Sequence, residues 1–157
     1  MKLIYAGTFD PITLGHLDVI KRASAIGGEV VVAILNNIAK KPLFTVDERL
    51  EMIRHEVSSM ANVRVRAYDG LLAELAREEG AVIVRGLRSG ADLEAELPVS
   101  QANYSIYGAE TIFLGSAPEL SFVSSSIVRE VASFHGDISG LVSAYVREKV
   151  EERINKK

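Results

Sequence analysis

Short apolar runs alternate along this chain with longer stretches whose apolar residues recur every three or four positions. Leu3-Ile4 is the first run, and Glu29-Val30-Val31-Val32-Ala33-Ile34-Leu35 is a continuous β-branched one. Unbroken runs of this kind mark parallel strands covered on both faces. Between them Leu17, Ile20 and Ala23 keep helical spacing, with Lys21 and Arg22 on the other side, and Gly27-Gly28 ends the helix. The unit is β-α-β. A polar loop from Asn36 to Phe44 follows. Thr45-Val46-Asp47-Glu48 then predicts a capping box, and Leu50, Ile53, Val57 and Met60 a buried stripe behind it. Val63 to Ala67 alternates, which predicts a third strand, half exposed or at an edge. Leu71, Leu72, Leu75 and Ala76 mark a short helix closed by Gly80, and Ala81-Val82-Ile83-Val84 a fourth strand.

Arg85-Gly86-Leu87-Arg88 is expected to leave the end of that strand. Asp92 to Tyr104 reads as helix, although Pro98 removes a backbone donor and kinks or interrupts a helix. Thr111 to Leu114 predicts a fifth strand. Ser121 to Ser126 predicts a polar turn, with Phe122 and Val123 buried, that leads into a helix ending near Phe134. Val142, Val146, Val150 and Ile154 place a last amphipathic helix on the core, and Lys156-Lys157 is a solvated tail. Five strands alternating with helices, without linker or repeat, predict one doubly wound α/β domain over residues 1–157 with a five-stranded parallel sheet.

Composition narrows the function classes. Hydrophobic content of 48% and charged content of 25% are ordinary for a globular protein. No apolar run is long enough to span a bilayer, and Met1-Lys2-Leu3-Ile4 leads into a strand instead of a signal peptide. The absence of cysteine excludes disulfides and thiolate chemistry. A cytoplasmic protein with no membrane partner is the expectation. A net charge of −3 argues against a broad nucleic-acid surface, while leaving room for a small basic pocket.

Ligands of doubly wound folds sit at the carboxyl ends of the strands, where strand order reverses. Four turns expected at that rim carry phosphate-binding residue types: Gly7-Thr8 with His16, Lys40, Arg85 to Arg88, and Ser124-Ser125-Ser126. Each has a plainer reading. The first is a Gly/Pro turn followed by a surface histidine, and Lys40-Lys41 a solvated charge pair. Arg85 and Arg88 could be ion-pair partners of Glu94 or Glu96. The serine run could be a helix cap. Their joint placement favours phosphate binding, because helix starts offer free N–H groups and partial positive charge. Arg129, one turn past the serines, adds to that cradle. No G-x-x-x-x-G-K-[ST] loop, G-x-G-x-x-G fingerprint or G-x-S-x-G elbow is present, and no metal-ligand spacing is found. His55 and His135 read as structural or exposed. A phosphate-binding rim without nucleophile or general base suits direct displacement at phosphorus by an incoming anion.

Thr13-Leu14-Gly15-His16 resembles the T-x-G-H motif of the adenylyl- and cytidylyltransferase superfamily, and Ser124-Ser125-Ser126-Ile127-Val128-Arg129 resembles its second motif. Lys40-Lys41-Pro42-Leu43-Phe44 with Glu48-Arg49, Arg85-Gly86-Leu87-Arg88 with Asp92 and Glu96, and Leu120-Ser121-Phe122-Val123-Ser124 narrow the match. Together they resemble the bacterial phosphopantetheine adenylyltransferases over nearly the whole chain. The resemblance implies a Rossmann-like domain that moves AMP from ATP to 4′-phosphopantetheine, giving dephospho-coenzyme A and pyrophosphate. It implies that Thr8 and Lys40 grip phosphates at the reaction centre and that His16 stabilises charge developing there. Arg85, Leu72 and Asn103 would hold the phosphopantetheine. Thr8, Phe9, His16, Gly86, Leu87, Arg88, Glu96 and the stretch Leu120, Ser121, Phe122, Val123, Ser124, Ser125 and Ser126 would bind ATP. The family uses Mg²⁺, held chiefly by the nucleotide phosphates and not by a protein metal site, and assembles as homohexamers.

Some positions differ from the family pattern. Ala6 stands where proline is frequent, Ala95 and Leu120 where aromatic residues are common, and Pro98, Ala102 and Tyr104 surround Asn103. Two other readings remain open: a related nucleotidyltransferase acting on nicotinate mononucleotide or FMN, and a non-catalytic nucleotide-binding module.

Overall fold

The computed structural model of the chain describes residues 1–35 and 41–156. Lys40, expected at the rim, lies with the rest of residues 36–40 outside the described residues. Five parallel strands, β1 (Lys2–Gly7), β2 (Glu29–Leu35), β3 (Val63–Tyr68), β4 (Val82–Leu87) and β5 (Thr111–Gly115), form one sheet in the order β3-β2-β1-β4-β5. The helices among the described residues are α1 (Leu14–Ile26), α2 (Val46–Glu56), α3 (Leu72–Glu79), α4 (Gly90–Tyr107), α5 (Ser125–Ser133) and α6 (Ala144–Asn155). From β1 the order runs outward through β2 in one direction and through β4 in the other. The crevice between β1 and β4 is therefore the place where a doubly wound sheet binds its ligands.

Side-chain alternation along the strands builds two cores. Leu3, Tyr5, Val30, Val32 and Ile34 join one cluster with residues of α1, α2, α5 and α6. Ile4, Ala6, Val31, Ala33 and Ile83 face the other way and pack on α3. A period of two in a sheet covered on both sides explains why β1 and β2 read as uninterrupted apolar runs. The capping box at Thr45 and Glu48 forms as expected.

Four expectations are corrected. β4 extends through Leu87, so Arg85 and Gly86 belong to the strand and pair with Phe113 and Leu114 of β5. The ladder to β5 keeps the backbone extended where the charged and glycine residues suggested a turn. Phe122 is exposed, whereas Val123 is buried as expected. Val57 and Met60 lie beyond the end of α2, and Val142 precedes α6, although Val57 and Val142 are buried in the same core. Finally, α4 is continuous through Pro98 and begins earlier and ends later than expected, capped by Ser89 and by left-handed Gly108. None of its residues is buried, so the strain of a mid-helix proline falls on the exterior of the chain, where the backbone has room to adjust.

Candidate active site

The turn between β1 and α1 is fixed from several sides. Phe9 takes a left-handed backbone angle, φ 47°, which costs a non-glycine residue energy that neighbouring bonds must offset. Those bonds are present. The Arg49 guanidinium, itself buried, donates to the Thr8 carbonyl (2.7 Å). The buried Asp10 carboxylate accepts from the Leu43 and Phe44 N–H groups at 2.8 and 2.9 Å. Arg129 donates to the Asp10 carbonyl, and the Ser125 hydroxyl donates to the Pro11 carbonyl. The two motif-bearing helix starts, α1 and α5, are thereby tied to one turn.

Thr13 caps α1, and His16 stands where a capping box usually has Glu or Gln. The Thr13 N–H donates to His16 Nδ1 (3.1 Å), and the Thr13 hydroxyl accepts from the His16 N–H. Because Nδ1 accepts, the neutral ring carries its proton on Nε2, the nitrogen that has no partner among the described residues. Burial, and then the charge of Arg88, lower the His16 pKa from 6.5 to about 4. The ring is a neutral single donor at physiological pH. Phe9, fully buried, packs edge-on against it at 5.0 Å between centroids.

A cavity of about 260 Å³ opens between β1 and β4, lined by Tyr5, Thr13, Gly15, His16, Val19, Arg85, Gly86, Arg88, Asp92, Glu96, Ser116, Leu120, Val123, Ser124 and Ser125. Two glycines make room for it. A Cβ on Gly86 would stand 3.0 Å from the Val19 side chain, and Gly15 faces the Leu120 and Val123 carbonyls. The N–H groups of Gly15, Ser125 and Ser126 have no partner among the described residues, which leaves both helix starts open to an anion. Burial raises the Tyr5 pKa to about 12, against the pull of Arg85 and Arg88, so its hydroxyl remains a donor.

Of the expected site residues, the structure gathers His16, Arg85, Gly86, Arg88, Glu96, Leu120, Val123, Ser124 and Ser125 around this cavity. Thr8 is exposed at the end of β1, and the Phe9 side chain is buried, so Phe9 can offer a ligand only its backbone. Leu87, Ser121, Phe122 and Ser126 are outside the lining. The serine run does what its plainer reading proposed as well: Ser124 caps α5, and Ser126 accepts from Arg129. Both arginines are ion-paired, Arg85 to Glu96 (2.6 Å) and Arg88 to Asp92 (3.2 Å). Burial opposes the charge on Asp92, but hydrogen bonds from the Arg88 backbone and side chain outweigh it and hold the carboxyl below its usual range.

Leu72 and Asn103 line a second cavity of about 280 Å³, with Leu35, Leu71, Ile83, Val99, Ser100, Tyr107 and Thr111. Arg85 and Glu96 line both cavities and form their shared wall. The Thr111 hydroxyl is buried there without a hydrogen-bond partner. Sequence reasoning gave no role to Tyr5, Val19, Ser116 or Thr111. Only Thr13 had a local signal, a Thr three residues before a side chain that can close a capping box.

The cytidylyltransferase-like family model matches residues 4–131. A phosphopantetheine adenylyltransferase of Thermobifida fusca is 45% identical over 153 residues, covering 97% of this chain and 93% of that protein. One from Heliobacterium modesticaldum is 47% identical over 152 residues, covering 96% and 90%. The fold also matches the solved Plasmodium falciparum nicotinic acid mononucleotide adenylyltransferase complexed with NaAD, with a TM-score of 0.67 at 17% identity over 99% of this chain and 94% of that one. That likeness is one of fold. With relatives this similar over nearly their full length, and with both superfamily motifs at one crevice, the chain belongs to the phosphopantetheine adenylyltransferase family.

Proposed function

We propose that this chain transfers the adenylyl group of ATP to 4′-phosphopantetheine, a step of coenzyme A biosynthesis. The observation that carries this reading is the pair of cavities joined at Arg85. One is polar and bounded by two open helix starts and a neutral imidazole, and the other is lined mainly by apolar side chains. The first suits a nucleotide triphosphate. The second, with Asn103 and Thr111 as polar handles, suits a long arm bearing amides, and Arg85 stands between them for the acceptor's phosphate.

An oxygen of that phosphate attacks the α-phosphorus of ATP. A new P–O bond forms, the bond to the α–β bridging oxygen breaks, and pyrophosphate leaves with the electron pair. The attacking group is already an anion, so no base is needed. His16 donates from Nε2 to a non-bridging α-phosphate oxygen as charge shifts in the transition state. The α5 start and Arg88 hold the β- and γ-phosphates, while Gly86, Leu120 and Val123 line the cavity on the nucleoside side, and Leu87, Ser121 and Phe122 are assigned to the nucleoside on sequence grounds alone. Thr8, and Lys40 on sequence grounds alone, are assigned to the phosphates at the reaction centre. Asp92 and Glu96, the carboxylates that face the cavity, are each committed to an arginine. Mg²⁺ would therefore take most of its ligands from the triphosphate, where it supplies charge neutralisation.

We assign the assembly to a homohexamer and the location to the cytoplasm. Leu93, Leu97, Val99, Tyr104 and Ile106 of α4 are exposed apolar side chains of the kind that interfaces cover, which supports assembly. No helix among the described residues is long and apolar enough to cross a membrane. The test of the reaction is pyrophosphate release from ATP, with 4′-phosphopantetheine, nicotinate mononucleotide or FMN as acceptor. Release with the first alone is expected. Release only with another acceptor, or ATP binding without release, overturns the assignment.

A further inference from the structure

We propose that Arg49 is a positioning residue for the reaction: its hold on the Thr8 carbonyl keeps Phe9 in a left-handed conformation, and the Phe9 ring keeps the His16 imidazole aimed and out of water. The catalytic consequence rests on the adenylyl-transfer reading above, whereas the hold on His16 does not depend on it. Arg49 lies in the first turns of α2 and is 3% exposed. Its partners among the described residues are carbonyls: Nη1 donates to Thr8 at 2.7 Å, and Nε to Phe44 at 3.1 Å and to Thr45 at 3.3 Å. Burying a charge among carbonyls alone is costly, so a place that only needed filling would suit an apolar side chain better. What the guanidinium adds is direction, because its donors are held in one rigid plane. It joins the end of β1 to the start of α2.

One peptide carries the effect to His16. Fixing the Thr8 carbonyl fixes the planar unit between Thr8 and Phe9, from which the Phe9 φ of 47° turns. That angle is unfavourable for phenylalanine and persists only where neighbours over-determine it. It sends the ring inward, where it is fully buried and meets Tyr5 edge-on at 5.6 Å and His16 edge-on at 5.0 Å between centroids. Around the rest of the imidazole stand Thr13 at Nδ1, Tyr5 at 6.4 Å and, across the cavity, Arg85, Arg88, Asp92 and Glu96. Burial is the larger reason that His16 titrates near 4, and Arg88 is the other. Arg49 therefore acts on the imidazole through the Phe9 cover and not through its charge. Without Arg49 the strain at Phe9 relaxes to a negative φ, the ring leaves the imidazole, and water enters.

The test compares Arg49→Met with the unaltered chain in two ways. Proton NMR follows the imidazoles against pH in the chain without substrates, with the His16 signal identified by its loss in His16→Ala. Steady-state pyrophosphate release gives kcat and both KM values per folded molecule. We expect the His16 midpoint to rise from about 4 to above about 5. At neutral pH kcat should fall at least about tenfold, with both KM values within about threefold. Phe9→Leu, which removes the ring and keeps Arg49, should reproduce the rise, and adding Arg49→Met to it should change the midpoint little further. An Arg49 that serves stability alone would lower the denaturation midpoint and leave the His16 titration where it was. That result overturns the proposal, as does a kcat within about threefold of the unaltered value, a loss confined to KM, or additive shifts with Phe9→Leu. Arg49→Lys keeps the charge but loses the rigid plane, should give an intermediate rise, and stands in if Arg49→Met does not fold. If neither folds, an unmoved His16 midpoint in Phe9→Leu overturns the proposal. If the unaltered chain releases no pyrophosphate with 4′-phosphopantetheine, the functional reading fails while the titration still decides whether Arg49 holds His16.

Discussion

Replacing His16 by alanine separates transition-state stabilisation from binding. The substitution removes the Nε2 donor at the α-phosphate and the Nδ1 acceptor that receives the Thr13 N–H. Loss of one donor aimed at developing charge costs about 3 kcal/mol, on the order of 10² to 10³ in kcat. In the ground state the same bond is an ordinary neutral one of about 1 kcal/mol, so KM for ATP should rise about fivefold or less. Loss of half the capping box costs about 1 kcal/mol of stability, read as a shift in the denaturation midpoint.

The pH dependence adds a second check on the same residue. With a pKa of about 4 in the folded chain, His16 is about 1% protonated at pH 6, so it contributes no inflection to kcat between pH 6 and 8. The folded value lies below the unfolded 6.5, so the unfolded chain takes up the proton first as pH falls. The contribution to stability is whole above pH 6.5 and is lost progressively down to about pH 4, amounting to about 3 kcal/mol. His16→Ala should flatten the stability profile in that window. Steady-state pyrophosphate release against ATP concentration and pH, with urea denaturation at each pH, measures all of this. A kcat inflection near 6.5 that His16→Ala abolishes would show that the imidazolium is the working form. A rise in KM for ATP that matches the fall in kcat would make His16 a binding residue only.

Two further substitutions test the frame around the site. Asp10→Ala strands the Leu43 and Phe44 N–H groups in a buried place, and at about 1 to 3 kcal/mol each the loss should be about 2 to 6 kcal/mol by chemical denaturation. A loss under about 0.5 kcal/mol would mean that water reaches those groups and that the carboxylate does not hold the turn. Gly86→Ala puts a Cβ 3.0 Å from Val19 Cγ2 and should cost about 1 to 3 kcal/mol. Val19→Ala in the same chain should restore part of that loss, and no recovery would place the cause elsewhere.

The local elements were legible because their causes are local. β-branched runs, helical spacing and the Thr45 capping box report on nearest neighbours along the chain, and the strands and most helices follow them. The errors have a common origin. Phe122 was expected inside because phenylalanine usually is, but which side of a turn faces the core depends on what packs there. Arg85 and Gly86 looked like a turn because their own preferences oppose a strand, and pairing with β5 overrode them. Pro98 sits in a helix that lies on the outside of this chain, where its penalty is smallest.

The amino-acid order by itself determined the five parallel strands, the family motifs and the types of group available for phosphate chemistry. Only the tertiary structure decided that β1 and β4 are neighbours, which brings His16, Arg85, Arg88 and Ser124 to one cavity from positions more than a hundred residues apart. It also decided which carboxylate each arginine holds, and which imidazole nitrogen carries the proton. The physical reason is range. Propensity and periodicity act over a few residues, whereas strand order, burial of a titratable ring and the partner of a charge are set by contacts between distant segments, and a linear pattern does not encode their geometry.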